Sequence, residues 1–207
     1  DNKMSYLFRP FDFRLEARSG GAASACEIAR STPRSGAHPM PLVIRRLVPD
    51  HAARYRALML AAYAEAGGAF TSTVAERETL PLAWWESRLS NDPEAVERVL
   101  GAFVDGDLVG VAGLRRARRL RTRHKATLFG MVVQPAHRGR GIGRARVEAV
   151  LGEAASEPGV LVVQLTVTES NAAARRLYEA CGFAAFGTEP FAIRLGDGFA
   201  SKVHLWR

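Results

Sequence analysis

The sequence predicts an α/β (α+β) fold, a mixed central sheet of about seven strands covered by about four main helices. Three observations predict it. Short apolar runs bounded by turn residues recur along the chain, segments with apolar residues every three to four positions separate some of them, and a glycine-rich junction joins one strand-like run directly to a helix-like run. With 207 residues, 47% of them hydrophobic, the chain can bury one substantial core. The expected organisation is an N-terminal extension at residues 1–39 and a single domain at residues 40–207.

The extension carries Ser/Gly/Ala-rich and Ser/Pro-rich stretches with little periodicity, and its aromatic residues Tyr6, Phe8, Phe11 and Phe13 leave open that it packs on something. Met40 stands just before the first good strand, Leu42–Val48. From Asp50, a plausible N-cap, Tyr55, Leu58, Ala62 and Ala66 recur at helical spacing until Gly67-Gly68 stops the run. A second helix is expected near Leu82–Leu89 around Trp84 and Trp85. Arg98–Val104 and Leu108–Leu114 flank Asp105-Gly106-Asp107, a strong hairpin signal. Ala126–Val133 is the next strand, reached across the arginine-rich turn Arg115–Lys125. Val147, Val150, Leu151 and Ala154 mark one face of a helix spanning Ala145–Ala155, and Val160–Val167 reads as a buried strand. A helix opened by Asn171 follows, and strands at Ala184–Leu195 and Phe199–Trp206 close the chain across Gly196-Asp197-Gly198.

The junction Arg138-Gly139-Arg140-Gly141-Ile142-Gly143-Arg144 is the most informative segment. The first N–H groups of a helix lack intrahelical partners and carry the positive end of the macrodipole, so a glycine-rich strand-to-helix turn cradles an anion. Three glycines alternating with arginines suit a diphosphate. The spacing is wrong for a dinucleotide G-x-G-x-x-G, and Gly143 is followed by Arg144-Ala145 where a Walker loop needs Lys-Ser/Thr. No His/Cys/carboxylate cluster suggests a metal site.

The pattern Gln/Arg-x-x-Gly-x-Gly/Ala, met by Arg138, Gly141 and Gly143, resembles the pyrophosphate loop of the GNAT superfamily of acyl-CoA-dependent N-acyltransferases. A second block, Leu165 to Phe183, resembles that superfamily's strand, Asn-initiated helix and Tyr-x-x-x-Gly-Phe ending, with Asn171, Tyr178, Gly182 and Phe183 in place. Phe129-Gly130-Met131-x-Val133-x-Pro135 and Phe186-Gly187-Thr188-Glu189-Pro190 look like a common bacterial branch, and the resemblance covers about residues 42–206.

The resemblance implies an N-acetyltransferase that moves the acetyl group of acetyl-CoA to a primary amine in a ternary complex. It implies a cleft where the central strands splay, with the pantetheine arm along Met131, Val132 and Val133 and the diphosphate on Arg138, Gly139, Arg140, Gly141, Ile142, Gly143 and Arg144. Tyr178 resembles the family's general acid, and a cofactor-bonding core tyrosine is the alternative reading. Asn171, two helical turns earlier on the same face, is an N-cap that also reaches the cofactor by resemblance. Glu169 is the first candidate base, beside His124, Glu189 and a water chain. Val132 stands where near relatives often carry Tyr.

Phe70, Thr71, Thr73, Trp84, Trp85 and Phe191 are candidate acceptor-pocket residues, and their apolar character disfavours a polycationic acceptor. A small amine or a peptide or protein amine is expected, with a homodimer left open. The net charge of +8 is concentrated in Arg115–Lys125, without interleaved aromatic residues, so a solvated hairpin is expected rather than a nucleic-acid site. The rival reading is a non-catalytic acyl-CoA sensor or an RNA- or protein-docking module on the same fold. No apolar run approaches the roughly 20 residues of a membrane span. The opening residues lack a signal-like stretch, and Cys26 and Cys181 make no disulfide framework, so a cytoplasmic setting without a membrane partner is expected.

Overall fold

In the computed structural model, which describes residues 42–207, seven strands form one sheet in the order β1-β2-β3-β4-β5-β7-β6. The expected extension at residues 1–39, with Cys26 and its four aromatics, lies outside the described residues. The strands are β1 (Leu42–Arg46), β2 (Glu97–Val104), β3 (Asp107–Arg116), β4 (Lys125–Val133), β5 (Val162–Thr168), β6 (Ala184–Leu195) and β7 (Gly198–Trp206). The helices are α1 (Ala52–Glu65), α2 (Val74–Glu78), α3 (Leu82–Ser87), α4 (Ile142–Ser156) and α5 (Ala172–Ala180).

One helix more is present than the periodicity predicts. α2 is only five residues long and too short for a periodic signal, yet it is closed by a capping box. The Thr73 N–H donates to Glu76 Oε2 at 2.8 Å, and the Glu76 N–H donates to Thr73 Oγ1 at 3.3 Å. Asp50, expected to cap α1, lies instead within a 3-10 turn at Pro49–His51, and His51 occupies the N-cap.

Alternation along the strands sends neighbouring residues into two cores. Val111 joins Tyr55, Leu58, Met59, Trp85 and Leu89 from α1 and the α3 region. Ala112 joins Val147, Val150, Leu165, Phe183 and Leu205 with α4 and α5. Cys181 belongs to this second core, and burial raises its thiol above the ordinary range, as expected of an inert thiol.

Two irregularities position the site. β4 pairs parallel with β5 only through Lys125–Thr127, so the β5-facing edge of β4 is unpaired from Leu128 onward. Against β3 the register runs from Val111↔Val132 to Gly113↔Phe129, so Gly130 and Met131 together face the single Ala112. That is a β-bulge, and Gly130 takes φ +59°, a left-handed conformation that suits glycine. The strands therefore part at the end of β4.

The basic hairpin is partly neutralised. Glu157 at the end of α4 is buried and pairs with both Arg98 and Arg116, and Arg115 pairs with Glu97 at 2.6 Å. Arg118, Arg119, Arg121 and Arg123 are exposed on the turn, as a solvated hairpin requires.

Candidate active site

Where β4 leaves β5, a cleft of about 770 Å³ opens between the end of α1, the β4 edge, the glycine turn and α5. No side chain caps the helix that the turn opens. Gly139 and Gly141 have φ of +75° and +77°, and a Cβ at either would meet no atom within 4 Å, so the space above them is free for a ligand. Gly141 is the N-cap of α4, a 15-residue helix whose first residues, Ile142, Gly143 and Arg144, line the cleft and whose first N–H groups have no intrahelical partner. Gly143 sits deeper, where a Cβ would lie 3.1 Å from Leu177 and 3.4 Å from Met131.

Most of the residues singled out by sequence meet here. Met131, Val132, Val133, Arg138, Gly139, Gly141, Ile142, Gly143, Arg144, Asn171 and Tyr178 all line the cleft, whereas Arg140 is exposed on the turn and outside its wall. Asn171 Oδ1 accepts from the Ala174 N–H at 3.1 Å, capping α5. The donor set fits a diphosphate: the start of α4 and open glycines share one concavity, with Arg144 on its wall, where its Nε donates to Glu148 Oε1 at 2.8 Å.

Arg138 is already engaged. Its Nη1 and Nη2 form a fork on the Glu65 carboxylate at 2.8 and 3.0 Å, and its Nε donates to Val133 O at 3.1 Å. Glu65, from the end of α1, is the one acidic residue of the cleft wall among the described residues. Sequence reasoning missed it because the pair spans 73 residues and Glu65 lies on a helix end that reads as solvent-exposed.

Tyr178 is buried at 7% exposure, and its hydroxyl donates to Met131 Sδ at 3.4 Å. Burial pushes its pKa up to about 12, against a smaller lowering by the Arg146 guanidinium. The phenol is thus a proton holder at neutral pH, aimed at a sulfur.

Glu169 is exposed; Thr168 and Ser170 on either side of it line the cleft, but Glu169 does not. Its N–H donates to Ser201 O at 2.9 Å. Glu189 is paired with His204 at 3.0 Å, and His124 lies in the turn just before β4, at the end of that strand away from the cleft. Of the six candidate acceptor residues, Phe70 lines the cleft and Trp84 and the other four do not; a cleft residue outside that set, Thr168, holds the neighbouring loop, its Oγ1 donating to Gly68 O at 2.8 Å. Trp85 is core, Thr73 caps α2, Thr71 accepts from Lys202, and Phe191 is 75% exposed on the β6–β7 hairpin.

Comparison with known proteins bears on the family and the fold. The family model described as Acetyltransferase (GNAT) family matches residues 59–183. The L-amino acid N-acetyltransferase AaaT of Escherichia coli K12 is 32% identical over 114 residues, covering 55% of this chain and 68% of that protein. A GNAT-family acetyltransferase from Streptococcus pneumoniae superimposes with a TM-score of 0.72 at 25% identity, over 81% of this chain and 99% of that one. The fold also matches yncA of Salmonella typhimurium, whose structure was determined with its cofactor acetyl-CoA, with a TM-score of 0.67 at 22% identity over 81% and 93% of the two chains.

Proposed function

Because this chain belongs to the acetyltransferase (GNAT) family, an enzyme family with acetyl-CoA as co-substrate, we propose that it acetylates the primary amine of a small acceptor by direct attack on the thioester. The observation that carries the reading is one cleft holding three parts together: the open glycine turn at the start of α4, the unpaired edge of β4 and the buried Tyr178 hydroxyl.

Each part meets one need of the reaction. The helix N-terminus and Arg144 bind the diphosphate, and the free edge at Met131–Val133 takes the pantetheine arm as an added strand would pair. A cleft-facing main-chain N–H at this strand end is the oxyanion donor. Gln134 N–H donates to Val109 O, so by the alternation of an antiparallel ladder the Val133 N–H points away from β3, toward the cleft. Tyr178 donates a hydrogen bond to the departing sulfur, as it now does to Met131 Sδ. The amine must attack as the neutral form, which for a lysine-like group at pH 7 costs about 4–5 kcal/mol.

The acceptor side is small and apolar, with Ala62, Ala66, Gly68, Ala69 and Phe70, and Glu65, the one carboxylate of the wall among the described residues, is committed to Arg138. That favours an acceptor with one amine over a polycation. The similarity to AaaT makes L-amino acids the first class to try.

The test is free-thiol release from acetyl-CoA across L-amino acids, small amines, polyamines and short peptides. Turnover confined to mono-amines supports the proposal. Turnover with polyamines alone refutes the acceptor assignment, and acetyl-CoA binding without release to any acceptor refutes catalysis in favour of a sensor.

A further inference from the structure

Arg146 is fully buried at 0% exposure on the sheet-facing stripe of α4, between Ile142 and Val150. An aliphatic residue would pack there without desolvating a charge, and an incompletely paired buried guanidinium is among the costliest groups a core can hold. Its Nε and Nη2 have no hydrogen-bond partner among the described residues. Burial lowers its pKa to about 10, partly opposed by Tyr178, so it stays charged at neutral pH.

The bonds it does make are concentrated at one place. Nη1 donates to Val111 O at 2.6 Å and also to Val132 O, the two carbonyls of the facing pair beside the β4 bulge. Gly110 leaves the room: a Cβ there would collide with the guanidinium and lie 2.6 Å from Val132 O. A cation is thus inserted where β4 departs from regular pairing. The Val132 carbonyl belongs to the same peptide group as the Val133 N–H, and a charged donor on a carbonyl polarises its peptide, making the N–H a stronger donor.

We infer that Arg146 is a positioning residue of the acetyl-transfer site, which fixes the bulged end of β4 and, through the Val132–Val133 peptide, orients and polarises the donor that receives the oxyanion. This rests on the proposed use of the β4 edge. Arg146 itself touches no substrate.

The experiment compares wild type, Arg146→Met and Arg146→Lys in thiol-release kinetics, thermal melting and hydrogen–deuterium exchange of the segment Leu128–Gln134. For Arg146→Met we expect kcat to fall at least tenfold while the KM for acetyl-CoA stays within threefold, with a melting temperature no lower than wild type and exchange in that segment at least threefold faster. Arg146→Lys should recover part of kcat. The inference is overturned if Arg146→Met keeps kcat within twofold, or if kcat and melting temperature fall together and lysine does no better than methionine. Should wild type itself release no thiol, the acetyl-transfer reading fails separately, and unchanged exchange in Leu128–Gln134 would still sink the role assigned to Arg146.

Discussion

Replacing Tyr178 by Phe removes one oxygen from a 7% exposed side chain and should separate catalysis from stability. The hydroxyl's partner is a thioether, a weak acceptor, so its loss leaves no strong buried group unsatisfied and should change stability by less than about 1 kcal/mol. The catalytic cost follows from the pKa. A phenol at about 12 facing a thiol of ordinary pKa about 8.5 is mismatched by about 3.5 units, so complete proton transfer to the thiolate is uphill by about 5 kcal/mol. Donation of a hydrogen bond to the developing thiolate is not opposed in this way. A charge-assisted bond contributes about 1.5–3 kcal/mol, which corresponds to about 10- to 150-fold in rate.

Tyr178→Phe should therefore lower kcat by one to two orders of magnitude, with little change in the KM for acetyl-CoA. The assay is steady-state thiol release from pH 6 to 10, alongside thermal melts. No fall in kcat at high pH should come from Tyr178 within that range, because the group keeps its proton. A loss of about 10⁴-fold with an alkaline limb near pH 8 in wild type would refute this argument, since it would mean full proton donation from a phenol with a much lower pKa.

Glu65→Gln should release the Arg138 fork from its carboxylate and lower the KM for acetyl-CoA several-fold, while this half-exposed pair changes stability by no more than about 1 kcal/mol; titration calorimetry showing weaker binding would contradict it. Gly143→Ala should leave the melting temperature near wild type, since alanine favours the helix, yet weaken acetyl-CoA binding because the new methyl, 3.1 Å from Leu177, shifts that side chain on the cleft wall; Gly141→Ala, at φ +77°, should instead cost about 1–2 kcal/mol in denaturant unfolding. Tyr178, raised from about 10 to about 12, gives stability that is complete below pH 10 and lost as pH rises through 12, about 3 kcal/mol in all. Arg146, lowered to about 10, titrates in the opposite sense over that range. The difference between wild type and Tyr178→Phe in urea unfolding should therefore shift toward the variant between pH 10 and 12; a flat difference would exclude the raised pKa.

The site was legible in the sequence where backbone conformation dictates residue type. Gly139 and Gly141 at positive φ, and Asn171 as a cap, are positions where chemistry admits few alternatives. The capping box of α2 was also written there, as Thr73-x-x-Glu76, but five residues carry no periodic signal to draw attention to it. What could not be read are the charges whose meaning depends on distant strands. An arginine inside a helix ordinarily marks a solvated face, and Arg146 differs only because the β4 bulge places two carbonyls beneath it and Gly110 leaves the space. Glu65 becomes part of the cleft only because α1 ends against the glycine turn. These two unforeseen charges act on opposite ends of one short segment, Val132 to Arg138. On the proposed reading, Arg146 fixes the end assigned to the acyl carbonyl, and Glu65 restrains the guanidinium of Arg138 beside the turn assigned to the diphosphate. The segment is then held at one end by a buried cation and at the other by an anion that an incoming diphosphate would displace, so mutations at the two should affect kcat and KM respectively, with additive free energies.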